Sequence, residues 1–502
     1  MESNRRKLAI ATSVSFAGSI ITALLSYPRN WSIARALGTE KLGIFSLAGT
    51  IVGLVSTVFG LGLHQSISKY ISQCGDNITS IRGSSRWTLI IGIISGIVST
   101  ILVILTSGIF ADRLFDNRLL APVLVVVSFG IPFTIMMNIS CSILLGMGKV
   151  IYSVAVNNII LPMVWTSLIV LVWYFNLGIY IMSWTMSLSL IVAALFALWF
   201  VVKTVGRGKS ELIGRDLLDI VNTGIALFVS SFAYSFWLRM DVLFLGYFGG
   251  ANSVGVYTPA FQTSYLLNYL IVAVSSLFSP TVAKLYFVDS KEELNNLYKE
   301  MSQWCFYGNM SIAITLFFGA EPFLRFFGRD FVTNDAVTSL RVLLTGFLIY
   351  SLFGAMSAIM LAMGGVQKAL AKLEIGMIII SSSLYLLLTP NYGVIGTACA
   401  ASGSLVIVSV LRVMLVIKKT GYSNIDKHIW KSIVVLLGAG LATFVVNVVA
   451  KNFNPIFRLG FLAITAILSE LTMLLIVREP VFKSVINAIK KNRKMDSDAT
   501  RF

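Results

Sequence analysis

The sequence predicts an all-α integral membrane protein: about fourteen transmembrane helices, as two six-helix lobes related by an internal repeat, plus two extra C-terminal helices. Three observations carry this. The 502 residues are 57% hydrophobic and only 12% charged, where a soluble chain carries about a quarter. The apolar residues fall in blocks of about 20, each long enough to cross a ~30 Å hydrocarbon layer. Short motifs also recur at a nearly constant offset: LGIFSLA (42–48) with VGVYTPA (254–260), GMGK (146–149) with AMGG (362–365), and NLGI (176–179) with NYGV (391–394).

The expected spans are 8–36, 42–68, 87–110, 119–147, 151–175, 178–202, 217–247, 255–283, 300–320, 335–363, 369–389, 393–417, 430–450 and 457–477. Helices are expected because lipid offers no partner to an open backbone group, and no segment alternates as a barrel strand would. Arg5-Arg6-Lys7 before an apolar run imitates a secretory leader, and Ala34-Arg35-Ala36 has the form of a cleavage site. The run Leu8–Tyr27 is longer than the ~7–15 residues of a leader, and the repeat needs the segment, so it stands as the first span.

With the N-terminus in the cytosol, 28 of the 39 lysines and arginines fall in cytosolic segments, Arg412 to Lys431 among them, 8 in outer segments and 3 within spans. That bias places a multi-pass protein in the cell membrane with both termini inside. It also accounts for the net charge of +17. The tail around Lys490–Lys494 adds attraction to anionic membrane lipid, and no nucleic acid is implied. The repeat divides the chain into an N-terminal lobe (1–210), a C-terminal lobe (211–420) and an appendix of two helices with a basic tail (421–502). Six helices return the chain to its starting side. The halves therefore share one topology, as in transporters whose site lies between two repeats.

Cys74, Cys141, Cys305 and Cys399 are far apart and His64 and His428 are solitary, so neither a disulfide, a metal site nor a cofactor is expected. GRGKS (206–210) ends like a phosphate-binding loop, but Lys203 stands where that loop needs glycine. It reads as a basic linker. Outer loops are short, with no room for a catalytic domain, and no catalytic residue is expected.

Charge inside the spans is more informative. From Leu8 to Gly38 is ~46 Å of helix at ~1.5 Å per residue, longer than the hydrocarbon core. Arg35 can therefore snorkel at the outer interface. Arg29 sits deeper, after Pro28, which can bend the helix. Shifting Arg29 by 212 lands on Asp241, with Arg239 two residues before it. A charge in the bilayer costs at least ~2.5–3.5 kcal/mol and so usually faces a cavity or a partner. Arg239 and Asp241 are ~200° apart on a helical wheel. Arg239 is expected to face a central cavity, with Asp241 pairing with Arg29 or coupling to a cation; the plainer reading is a salt bridge that fixes packing. Cavity arginines suit a phosphate, which they hold through a planar fork of donors. In the eighth span Gln262, Tyr265, Asn268 and Tyr269 offer the amides, hydroxyls and rings that sugars bind, or serve as helix–helix glue. Glu470, mid-span, reads as a proton site, the polar end of a lipid groove, or a protonated structural residue.

ARALGTEKLGIFSLA (34–48), followed by FGLGLHQSISKYIS (59–72), resembles the start of the polysaccharide flippases of the multidrug/oligosaccharidyl-lipid/polysaccharide exporter superfamily, which includes O-antigen flippases and, more distantly, lipid II flippases. The resemblance covers nearly the whole chain. It implies a two-lobed, MATE-like transporter, not an enzyme. It would turn polyprenyl-linked oligosaccharide from the cytosolic to the outer leaflet by alternating access, with H+ or Na+ as a possible coupling ion. It also implies that Arg29, Arg35 and Arg239 hold the phosphate or pyrophosphate. Asp241 departs from the family's more strongly basic cavities. Two competitors remain: a cation-coupled drug exporter of the same fold, which needs acids within the lobes, and a membrane glycosyltransferase or ligase, which needs a large outer loop.

Overall fold

Lipid leaves a spanning backbone no outside partner, and every regular element among the described residues is helical. The computed structural model describes residues 2–75, 77–206, 208, 214–287, 290–363, 365–425 and 429–477. The basic C-terminal tail, His428, and Arg207, Lys209 and Ser210 of the linker lie outside the described residues.

The chain gathers into two compact units. One comprises Met1–Gln262, Phe327–Ser339 and Ala371–Ala401. It is built mainly from α1 (Glu2–Phe59), α2 (Leu63–Cys74), α3 (Ile78–Ile109), α4 (Leu120–Ser128), α5 (Ile131–Gly146), α6 (Val150–Val154), α7 (Leu161–Tyr174), α8 (Gly178–Val205), α9 (Gly214–Trp237) and α10 (Met240–Ser264). The other comprises Thr263–Phe326, Leu340–Leu370 and Ser402–Phe502. Its helices are α11 (Leu266–Phe287), α12 (Lys291–Phe318), α13 (Ala320–Leu324), most of α14 (Asn334–Ile349), α15 (Ala355–Met363), the ends of α16 (Gln367–Thr420), α17 (Ile429–Val449) and α18 (Pro455–Val477).

The first break in α1 is not at the expected proline. The helix runs through Pro28 and departs from helical geometry at Gly38 (φ 69°, ψ −175°). Pro28 removes only one backbone donor, and the Thr166 hydroxyl donates to the nearby Leu25 carbonyl at 3.2 Å. Gly38 instead adopts the left-handed region that glycine enters without a Cβ penalty. The equivalent break in α10 is at Gly250 (φ 73°, ψ 176°), 212 residues later (250 − 38).

The echoed LGIF and VGVY motifs meet each other. A Cβ on Gly43 would lie 1.7 Å from the Ala251 carbonyl oxygen, and one on Gly255 would lie 1.7 Å from the Thr39 carbonyl oxygen. Ala251 and Gly255 are Thr39 and Gly43 displaced by 212 (251 − 39), so the contact is its own two-fold image. The Thr258 hydroxyl, also displaced by 212, donates to Ser46 Oγ at 3.3 Å. Small residues let two backbones approach this closely; any larger side chain is excluded. Each unit also repeats one bond. Ser187 Oγ donates to the Val126 carbonyl at 2.9 Å in the first, and Ser402 Oγ to the Val342 carbonyl at 2.8 Å in the second.

Ten helices among the described residues are long and apolar enough to cross a membrane, fewer than the fourteen spans expected. Two of them explain part of the difference. Ala17–Phe59 and Lys368–Thr420 each join two expected spans, through Gly38 and through Gly393 (φ 54°). The expected spans 217–247 and 255–283 are instead interrupted, at Leu238–Arg239 and at Tyr265.

Candidate functional site

Arg29 and Arg35 lie on α1 less than two turns apart, and each rests on a tryptophan. The Arg29 guanidinium is 4.3 Å from the centroid of the Trp165 ring on α7. That of Arg35 is 5.7 Å from the Trp31 ring, and Trp31 packs edge-on against Trp173 at 4.9 Å. Arg29 is half-buried and Arg35 exposed. Each indole face supplies electron density to the cation, worth ~0.5–2 kcal/mol depending on desolvation. That offsets part of the charge's cost in the membrane.

Arg239 occupies the break between α9 and α10 and is exposed. Asp241, two residues later, is only 3% exposed. Its Oδ1 accepts the Val242 backbone N–H at 2.8 Å and its Oδ2 accepts the Tyr257 hydroxyl at 3.1 Å. Both carboxylate oxygens are therefore engaged by α10 itself rather than by Arg29, as the sequence had suggested. Arg239 is thus exposed and Asp241 buried, although only two residues separate them.

The polar residues of the expected eighth span straddle the break at Tyr265. Gln262 lies near the end of α10, while Asn268 and Tyr269 lie on α11. All four, with Tyr265, are half-buried. Tyr265 meets Tyr269 edge-on at 6.1 Å and Phe347 at 5.9 Å. The Asn268 N–H donates to the Tyr265 carbonyl at 2.9 Å, which closes the break.

In the second unit Glu470 is 5% exposed and accepts a hydrogen bond from Ser311, which ties α18 to α12. Arg412 was grouped with the cytosolic cations in the sequence, and this is corrected: it is 3% exposed within α16. Its Nη1 donates to the Tyr350 hydroxyl at 3.3 Å and lies 3.5 Å from the Gly354 carbonyl. Its position inside the expected span 393–417 was the available signal. Trp165 and Tyr257, the partners of Arg29 and Asp241, carried no signal, because nothing in their local pattern marks them out from other buried rings. Among the described residues no group of three or more histidines, cysteines or acids could hold a metal ion.

A family model described as polysaccharide biosynthesis protein matches residues 9–286, more than half of the chain. The chain belongs to this family. Within the polysaccharide biosynthesis family's wider circle, it is 23% identical over 508 residues to the "probable low-salt glycan biosynthesis flippase Agl15" of Haloferax volcanii, covering 96% of this chain and 99% of that one. Two solved structures share its fold. Lipid II flippase MurJ, in an inward closed conformation, has a TM-score of 0.70 at 14% identity, covering 95% of this chain and 100% of MurJ. An inward-facing multidrug resistance MATE transporter has a TM-score of 0.66 at 18% identity, covering 82% and 99%.

Proposed function

We propose that this chain flips polyprenyl-phosphate- or pyrophosphate-linked oligosaccharide from the cytosolic to the outer leaflet for surface glycan assembly. The observation that carries the reading is Arg29. It is a half-buried guanidinium inside a spanning helix, set over Trp165, in a chain of the polysaccharide biosynthesis family. Cations inside spanning helices mark substrate pathways, and a guanidinium's planar fork of donors suits a lipid-linked phosphate. The relative from Haloferax volcanii, named as a glycan biosynthesis flippase, supports the same reading.

The protein sits in the cell membrane with both termini in the cytosol. The head group enters from the cytosolic side while the polyprenyl tail stays in lipid. Arg29, Arg35 and Arg239 hold the phosphate, and Gln262, Tyr265, Asn268 and Tyr269 accommodate sugars. Rocking of the two repeated halves then exposes the head group to the outside, without a catalytic step. Asp241 favours a second reading, in which a buried acid couples H+ or Na+ to the export of cationic drugs.

The deciding experiment uses cells lacking the chain. Lipid-linked glycan is extracted and quantified, and surface polysaccharide is measured in parallel. The expected result is accumulated lipid-linked glycan and lost surface polymer, restored by the wild type but not by Arg239→Ala. Unchanged lipid-linked glycan with new sensitivity to cationic drugs would refute it in favour of the exporter.

A further inference from the structure

One cavity in the first unit is unused by the arginines and by the polar residues of α10 and α11. It has a volume of about 350 Å³ and is walled by the end of α1, the start of α2, α5 and α9. Its polar lining is Ser56, Thr57, His64, Gln65, Asn138 and, from α9, Ser231, Tyr234 and Ser235; among the described residues no aspartate, glutamate, lysine or arginine lines it.

Three observations mark it as more than helix–helix glue. Asn138 is exposed, although Ile135, Met136, Met137, Ile139, Ser140 and Cys141 around it on α5 are all buried. An amide exposed at mid-span faces water rather than lipid, since hydrocarbon leaves it unsatisfied. The hydroxyls, moreover, are used up mostly within their own helices: Ser56 and Thr57 donate to the Gly53 carbonyl at 2.8 and 3.0 Å, and Ser231 to the Leu227 carbonyl at 3.1 Å. Their oxygens thus face the cavity as acceptors. One bond crosses it, from Gln65 Nε2 to Ser231 Oγ at 2.8 Å, and that bond fixes the orientation of the amide. Finally, α1 and α2 are joined beside the cavity through Leu61 at φ 48° and Gly62 at φ 63°. A leucine in the left-handed region is strained, and such strain clusters at functional sites. Here it turns the first residues of α2, His64 and Gln65, onto the cavity.

The result is a wet, uncharged pocket with fixed acceptors, amide and imidazole groups, and a half-exposed tyrosine ring. Charged groups are poorly matched by such a lining, and purely apolar ones gain nothing from it. Hydroxyl-rich rings match it, because each sugar hydroxyl both donates and accepts. The volume lies at the low end of the ~300–1,000 Å³ of ligand pockets, enough for part of a glycan. We infer that this cavity is a subsite for neutral sugar residues of the transported glycan, separate in chemistry from the phosphate-holding arginines. The inference rests on the flippase reading.

The test is cysteine protection in membranes. Ser235→Cys is placed in the full-length chain with its four native cysteines replaced, and Leu238→Cys, beside Arg239 and leaving that arginine in place, serves as the companion. Maleimide labelling is timed with the polyprenyl-linked glycan extracted from cells lacking the chain, and with polyprenyl phosphate that carries no sugar. The expected result is at least fivefold slower labelling of Ser235→Cys with the glycan-bearing lipid only, and slower labelling of Leu238→Cys with both lipids. Asn138→Leu should abolish the protection at 235 and keep that at 238, while Asn138→Gln keeps both. Protection at 238 without protection at 235 overturns the sugar subsite and leaves the flippase standing. Protection at 235 by the sugar-free lipid also overturns it. If cells lacking the chain accumulate no lipid-linked glycan, the flippase reading fails and the subsite with it.

Discussion

Replacing Gly43 by alanine puts a methyl carbon where the Ala251 carbonyl already is. The separation would be 1.7 Å, against the ~3.3 Å of an ordinary C···O contact. The helices would have to part by the difference, ~1.6 Å by the same comparison. Both obstructing atoms belong to backbone, so no rotamer change relieves the clash. Overpacking a core costs ~1–3 kcal/mol when side chains can shift, and here the loss should reach or exceed the top of that range. Gly255→Ala should cost the same, because it meets the Thr39 carbonyl at an equal 1.7 Å. The informative variant is the double one. One parting of the helices makes room for both methyls, so the second substitution should add little, with a favourable coupling of ~1–3 kcal/mol. Thermal melts of the detergent-purified variants measure this directly. The two single variants should melt at similar, lowered temperatures, and the double variant close to them. A single variant that melts with the wild type, or a double variant whose loss is the sum of the two, would refute the two-fold contact.

Tyr257→Phe leaves the buried Oδ2 of Asp241 without its side-chain donor and should cost ~1–3 kcal/mol or more; adding Asp241→Asn should recover part of it, as read by the same melts. Trp165→Leu removes the ring under Arg29 and should lower the yield of folded protein, whereas Trp165→Phe, which keeps a ring face, should retain most of it. Ser187→Ala and Ser402→Ala each remove one bond to an opposite carbonyl and should destabilise by similar amounts, ~0.5–1.5 kcal/mol; a large difference would break the repeat's equivalence at these serines. Cys74 lies past the end of the expected second span, and burial raises its thiol above the ordinary value. The thiolate is the reactive form, so alkylation at pH 7 should be slower than for a free cysteine and should still be rising above pH 9. With a membrane-impermeant reagent it should proceed only from the cytosolic face, and rapid labelling of intact cells would overturn the proposed topology.

The helical class and the repeat were legible because both are written in spacing. Hydropathy blocks report the membrane's thickness, and Gly43 and Gly255 stand in echoed motifs because the contact between them excludes side chains. Breaks were less legible. Pro28 carries the stronger local signal, yet the departure occurs at Gly38, since a proline takes away only one backbone donor while a left-handed residue changes the chain's course. The interruption at Leu238–Arg239 lies in an apolar run that hydropathy alone reads as continuous. Partners were least legible. Tyr257 is sixteen residues from Asp241 and Trp165 lies on another helix from Arg29, so no local window contains either pair. Arg412 was misplaced because charge counting assigns a cation near a span's end to the nearer loop, whereas the Tyr350 hydroxyl and Gly354 carbonyl hold it inside.

The guanidinium of Arg29 lying 4.3 Å above Trp165 has an optical consequence. An indole's emission shifts with the charge beside it, so Trp165 reports on whatever Arg29 is doing. An anion that draws the guanidinium off the ring changes the emission of that one tryptophan, and subtracting the spectrum of Trp165→Phe isolates it from the other eight of the chain's nine tryptophans. The protein thus carries its own dye at the residue proposed to meet the phosphate, and a fluorescence titration can follow occupancy without any label.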